Sequence, residues 1–423
     1  MLLLLTTIFL TIIALHSFIS KYYNLFLGLV LIDLYELTGS IVCLDYESQI
    51  DRTILDYCNS SVNIEHHILA VGVLEVIIYL TFRLTYKLNN ISNEHIKPIQ
   101  SIKNIKITEQ TFNSIALFVF FSGLLSIATD VAASRIQDYN GGDLYTTPFY
   151  SYGTSLMIPL VLFLFTSKLK KSYLKYLAIA ISLLPLMYVA FLTSRRQIFA
   201  APILAIFIYI LYRTDIKNKL FKILTITLLS FLVFGFQFLE RDKAYGTGGR
   251  DTLYEIAIEP QLGEFIAIGN TTLKAWTMFV TDSSQLTYGI HFIHTLLNSI
   301  PFLRLGNIIN SGYSEEISET FTQLAPWGGL SYIADMYYAF SIYAIPIFGI
   351  IYGYIFAKLN FYLNKNIKVI DIKFIYLASI QSLIIIKYRS GFCDLLFYIT
   401  TFTILYLSFP FFIKLIYRRK LMS

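Results

Sequence analysis

The sequence predicts an all-α, polytopic helical membrane protein of about 11 transmembrane helices, with a large, mostly helical loop on the outer side. Three observations lead there. The 423 residues are 56% apolar and 14% charged, against about 25% charged in an average soluble domain. The apolar residues gather into runs of about 16 to 22 separated by charged stretches, and a bilayer core takes roughly 20 helical residues to cross. The runs do not alternate apolar with polar, as LVFGFQFL and PIFGIIYGYIF illustrate, which excludes the pattern of a membrane β-barrel.

Taken in order, the runs lie near residues 2–20, 25–43, 67–82, 112–129, 151–167, 174–193, 197–212, 220–239, 337–357, 374–390 and 392–413. The first resembles the apolar core of a signal peptide but has neither a basic leader nor a small-residue cleavage site, so it is expected to remain as an anchor. The chain divides into residues 1–239 with about eight spans, an outer loop over 240–336, and residues 337–423 with about three spans and a basic tail. A twelfth span, formed by a re-entrant piece of the long loop, would place both termini inside.

Threading the runs through a bilayer sorts the loops into two sets, of which one holds 22 of the 33 basic residues. The positive-inside rule makes that set cytoplasmic, which puts the carboxyl terminus inside and the long loop outside. Arginine and lysine divide unequally: the inner set has 18 Lys and 4 Arg, the outer set 8 Arg and 3 Lys. Orientation needs only positive charge. An outer arginine preference therefore points to the planar guanidinium and its bidentate grip on carboxylate or phosphate, with anchoring of helix ends as the alternative.

The loop over 240–336 is too long for a connector and too varied for a disordered linker. It opens with ERDKAYGTGGRD, where Gly246, Gly248 and Gly249 either let backbone amides approach an anion or simply make a turn. His291 and His294 lie three apart in it and share a helical face; one of them can serve as a general base near neutral pH, or both are structural. No third ligand or HExxH stands beside them, and the three cysteines (Cys43, Cys58, Cys393) form neither a disulfide framework nor a CxxC site. No metal is expected. Acids inside spans are costly and face a cavity or a partner; Asp33, Glu36, Glu75 and Asp394 are such acids. Asp394 is placed to pair with Lys387 or Arg389 on the adjacent outer turn, and Asp33 and Glu36 fit either a proton or ion path or an internal tie to outer arginines. The net charge of +6 is spread over several loops, which is not a nucleic-acid footprint.

The stretch LAPWGGLSYIADMYYAFSIYAIPIFGIIYGYIFAKL, preceded by the IP of NSIPFLRLG, resembles the O-antigen polysaccharide polymerases, the Wzy-type oligosaccharide repeat unit polymerases. In that family a large outer loop leads into a Gly-rich segment, an S-x-I-A-E/D-x-Y motif and a Gly-rich span. Gly328, Gly329, Ser331, Ile333, Ala334, Asp335 and Tyr337 occupy that pattern here. TSRRQ (Thr193 to Gln197) is similar to the family's SR-containing turn and KYRSG (Lys387 to Gly391) to its late R-x-G turn. The sequence departs from the family at Asp335, where the acid is usually Glu, and at Ala339–Ser341, where AFS replaces N-F-G.

The resemblance implies a bacterial inner-membrane enzyme that works on the periplasmic side without metal or cofactor. Its substrate is an undecaprenyl-pyrophosphate-linked oligosaccharide; membrane lipids surround it, a chain-length regulator and a flippase are candidate partners, and no nucleic acid is expected. The growing glycan would pass to the next lipid-linked repeat, releasing carrier pyrophosphate. Arg195, Arg196, Arg241, Arg250, Arg304 and Arg389 are the pool for a diphosphate clamp, with Arg196 and Arg389 foremost because their turns are short and lie at the lipid–water boundary. The acceptor hydroxyl's base would come from His291, Asp242, Asp251 or Asp335. A lipid-linked oligosaccharide flippase and an O-antigen ligase are the alternative functions.

Overall fold

The computed structural model describes residues 2–38, 64–93, 112–121, 148–166, 179–184, 197–212, 259–281, 286–298, 329–365 and 372–420, with a few isolated positions between them. Its helices are α1 (Leu2–Ile19), α2 (Tyr23–Ile32), α3 (Ile64–Asn93), α4 (Phe112–Phe121), α5 (Pro148–Thr166), α6 (Gln197–Tyr212), α7 (Glu259–Trp276), α8 (Ile290–Asn298), α9 (Tyr332–Phe340), α10 (Ala344–Lys365), α11 (Ile372–Ile386) and α12 (Gly391–Lys420). Two of them run on into a wider π-helical turn, α2 through Asp33–Leu37 and α7 through Thr277–Thr281. Among the described residues there is no strand; a single parallel bridge joins Leu330 to Ser390.

Helices stand at every predicted apolar run that falls on described residues, and the predicted run over 197–212 coincides with α6. Crossing a bilayer asks for more than helicity. Among the described residues two segments combine the necessary length and hydropathy, Ile64–Asn89 and Tyr332–Asn364. Of the predicted span at 220–239 only Phe221 and Thr225 are among the described residues. Apolar side chains stay exposed in stripes on α1 (Ile8, Ile12, Leu15, Ile19) and α3 (Leu69, Val73, Leu80, Leu84, Leu88), at the three-, four- and seven-residue intervals that place them on one helical face.

Local chemistry fixes the turns. After α1 the chain closes with the Tyr22 amide donating to the Ser17 carbonyl (2.8 Å) and the Lys21 amide to Phe18 (3.0 Å), with Lys21 left-handed at φ 61°. That is the Schellman arrangement, and it folds α2 back along α1. The closest long-helix pairing is α3 against α10, and glycine makes it possible: a Cβ on Gly353 would stand 2.6 Å from the Ile78 carbonyl oxygen, and one on Gly349 2.7 Å from Ile77. Small residues four apart let two helix backbones approach this way.

The apolar core runs continuously through these helices, from Leu25 and Leu29 on α2 through Val71 and Ile78 on α3 to Ala205 on α6 and Phe356 on α10. One polar tie crosses it. The buried Tyr212 hydroxyl sits 2.6 Å from the Asn24 side-chain oxygen and 2.7 Å from that of Asn360, so α2, α6 and α10 meet at one phenol.

The predicted outer loop does not stand apart from this core in its described part. Helix α7 packs against both the Asp33–Leu37 turn and α9, burying Ile268, Leu273, Ala275 and Trp276. Helix α9 starts at Tyr332, inside the loop as drawn from the sequence, because Ser331 caps it there.

Candidate functional site

Ser331 is extended (ψ 162°) and its side chain accepts the Ala334 amide at 3.1 Å. This is an N-cap, which satisfies one of the amides a helix start leaves without a partner. The Ser331 hydroxyl also meets that of Thr272 on α7 at 2.8 Å. From Tyr332 to Ala339 every side chain of α9 is buried, so Asp335 in its first turn is held fully out of solvent. Buried carboxylates need partners, and Asp335 has two: its Oδ1 lies 3.0 Å from His291 Nε2, and its Oδ2 accepts the backbone amide of Cys393 at 2.9 Å.

His291 is 1% exposed. Its second ring nitrogen, Nδ1, is 2.5 Å from Thr287 Oγ1, and the Thr287 amide donates to the Tyr338 carbonyl at 3.2 Å. The imidazole is thus engaged at both nitrogens and stacked beside Phe292 and Tyr338. In this arrangement the pair joins α8 to α9, and neither group presents a free face to an acceptor hydroxyl. His294, on the same helix, remains partly exposed; the two histidines therefore do not act as a pair.

The turn between α11 and α12 is built against the same cap. The Leu330 amide donates to the Arg389 carbonyl at 2.9 Å, and Leu330 bridges Ser390. Gly391 takes φ +85°, and a Cβ there would lie 3.3 Å from Asp335 Oδ2. Only glycine combines that backbone with so close an approach. The two motif segments, 331–337 and 387–391, are therefore one structural unit. Lys387 within it is buried with its ammonium 3.8 Å from the Tyr398 ring centroid, a cation–π contact.

Tyr388 points the other way and donates its hydroxyl to Glu36 Oε1 at 2.9 Å. Its ring stacks on Tyr35 (5.3 Å, 25°) and leans on Tyr332 (4.7 Å). The acids expected inside spans separate by role. Glu36 is tied to a tyrosine rather than to an arginine. Asp33 and Glu75 are neighbours across the end of α2 and α3, and Glu75 is fully buried there. His67, also buried, meets Trp276 and Tyr337 edge-on.

Of the residues singled out from the sequence, His291 and Asp335 come together, and Arg389 sits partly buried on the turn they support. Arg195, Arg196, Arg241, Arg250, Arg304, Asp242 and Asp251 lie outside the described residues. Sequence inspection did not single out Thr287, Tyr388, Thr272 or Gly391 as site residues. Nor did it reach the grouping of His291, Asp335 and Cys393, whose donor atoms all lie within 4.8 Å of one another, because the three are 44 and 58 residues apart in sequence. No family model, curated protein or solved structure matches the chain.

Proposed function

We propose that the chain is a polymerase of lipid-linked oligosaccharide repeat units, spanning a bacterial cytoplasmic membrane about eleven times, with the 240–336 loop periplasmic and the carboxyl terminus cytoplasmic. The observation that carries this reading is the joining of the S-x-I-A-D segment to the R-x-G turn. Asp335 accepts the Cys393 amide and Leu330 donates to the Arg389 carbonyl, so the two segments that carry the family resemblance hold one arginine in place. The exposed apolar stripes on α1 and α3 support a lipid surround.

In the proposed reaction an acceptor hydroxyl of the incoming repeat attacks the anomeric carbon of the growing glycan. The new glycosidic bond forms as the bond from that carbon to the carrier diphosphate breaks, and the diphosphate leaves with the electron pair. Charge accumulates on the leaving oxygens, where guanidinium donors stabilise it; Arg389 is the member of the arginine pool that the described residues include. Asp335 and His291 act as positioning residues for its turn. Holding two lipid-tethered reactants in one hollow lowers much of the remaining barrier, and the hydroxyl proton passes to Asp242 or Asp251.

Gene deletion tests the proposal against its alternatives. Loss of a polymerase leaves single repeats on the final lipid acceptor. Loss of a ligase leaves long polymer on the carrier, and loss of a flippase leaves neither outside. Either of the last two outcomes would overturn the polymerase reading.

A further inference from the structure

We infer that His291, Asp335 and Cys393 form a binding site for one divalent transition-metal ion of the zinc class. The donors come from α8, α9 and α12, with His291 and Asp335 buried and Cys393 partly so, and all three lie within 4.8 Å of one another. His291 Nε2 and Asp335 Oδ1 are 3.0 Å apart. Zinc bonds of about 2.0–2.1 Å to nitrogen and oxygen, opened to a tetrahedral angle, set two such donors about 3.3 Å apart. A Zn–S bond of about 2.3 Å sets the sulfur about 3.6 Å from each of them, so binding draws the thiol in by up to about 1 Å.

The donor set selects the metal. An imidazole, a carboxylate and a thiolate together suit a borderline-soft ion, whereas magnesium and calcium take oxygen ligands. Three protein ligands leave a fourth position for water or a substrate oxygen. Partners that orient the ligands are already in place: Thr287 holds His291 Nδ1, and the Cys393 amide holds Asp335 Oδ2, which leaves Nε2 and Oδ1 facing each other. Such outer contacts are a regular part of metal sites.

The protons balance. Without metal, the Thr287 hydroxyl donates to Nδ1 and Nε2–H donates to Asp335. With metal, the imidazole stays neutral but carries its hydrogen on Nδ1, donating to Thr287 Oγ1, whose own hydrogen turns toward the Tyr338 carbonyl 3.5 Å away. The thiol loses one proton, so each ion bound releases one. The ion anchors the turn that carries Arg389, and the transfer step proposed above does not route through it. The site goes beyond that reading and stands or falls independently of it, because its test needs no activity.

The experiment uses the full chain purified in detergent. Zinc content after dialysis is expected at about one equivalent, and cobalt loading is expected to give a thiolate-to-metal charge-transfer band in the near ultraviolet. Cys393→Ser should abolish that band, and Thr287→Val should weaken cobalt binding about tenfold or more, the size of an outer-contact loss. Circular dichroism of both variants checks that the helices form, and zinc should raise the melting temperature of the unaltered chain more than that of Cys393→Ser. A helical, monodisperse unaltered protein without the cobalt band would overturn the site. So would a band that survives Cys393→Ser.

Discussion

The Tyr388 hydroxyl donates to Glu36 Oε1 across 2.9 Å, joining residues 352 positions apart in sequence. Both side chains are fully buried, and the contact fastens the α11–α12 turn to the end of α2. Tyr388→Phe removes the donor and leaves a buried carboxyl group short of a hydrogen bond, at a cost of about 1–3 kcal/mol. Glu36→Gln keeps an acceptor for Tyr388 and should cost less. Thermal unfolding in detergent measures both; equal melting temperatures for Tyr388→Phe and the unaltered chain would show that the contact contributes nothing.

Ser341 ends α9 with φ 53° and ψ −138°, backbone that residues with a Cβ adopt at a cost of about 1–3 kcal/mol. It stands where the resembling family has glycine. Ser341→Gly should therefore raise stability by about 1 kcal/mol, offset in part by the greater freedom glycine gives the unfolded chain. A lower melting temperature for Ser341→Gly would mean that the Ser341 side chain supplies more than its backbone costs.

The helices were legible because each apolar run carries its own signal along the chain, and α6 shows it: PILAIFIYILY needs no distant partner to declare itself. The start of α9 was misplaced by the span boundary at 337 because hydropathy averages over Asp335, whereas the Ser331 cap acts at a single bond. His291 and Asp335 were each visible as a candidate base. Their pairing was not, because it depends on how α8 and α9 meet, and a single sequence holds no record of contacts 44 residues apart. Lys387 lies over the Tyr398 ring, a contact that no charge pattern along the chain announces. Packing, not motif, decides such partners.

Gly353 sets the distance between α3 and α10. A methyl group there would stand 2.6 Å from the Ile78 carbonyl oxygen and 2.9 Å from Thr81 Cβ, and backbone cannot move aside as a flexible side chain can. Gly353→Ala should destabilise by about 1–3 kcal/mol, the range for overpacking a tight interface. Thermal melting checks it. Gly329→Ala is the comparison, because its nearest contact is the Ile268 side chain at 3.0 Å, which can shift, so its loss should be smaller.

Arg389→Lys separates charge from shape at the proposed diphosphate clamp. Lysine keeps one positive charge but loses the planar fork that grips two phosphate oxygens together. The turn itself should survive, because Leu330 bonds the Arg389 backbone carbonyl and not its side chain. Removing a donor aimed at developing negative charge typically slows a reaction about 10²- to 10³-fold, so elongation of a synthetic undecaprenyl-diphosphate-linked repeat should fall by about that factor while binding of the substrate falls less. Arg196→Lys should behave alike if both arginines face the same diphosphate, and the double variant should then lose less than the product of the single losses, as groups acting as a unit do. Normal chain length from the Lys variant of every arginine in the pool would remove the clamp, and with it the chemical reason for arginine outnumbering lysine on the outer side.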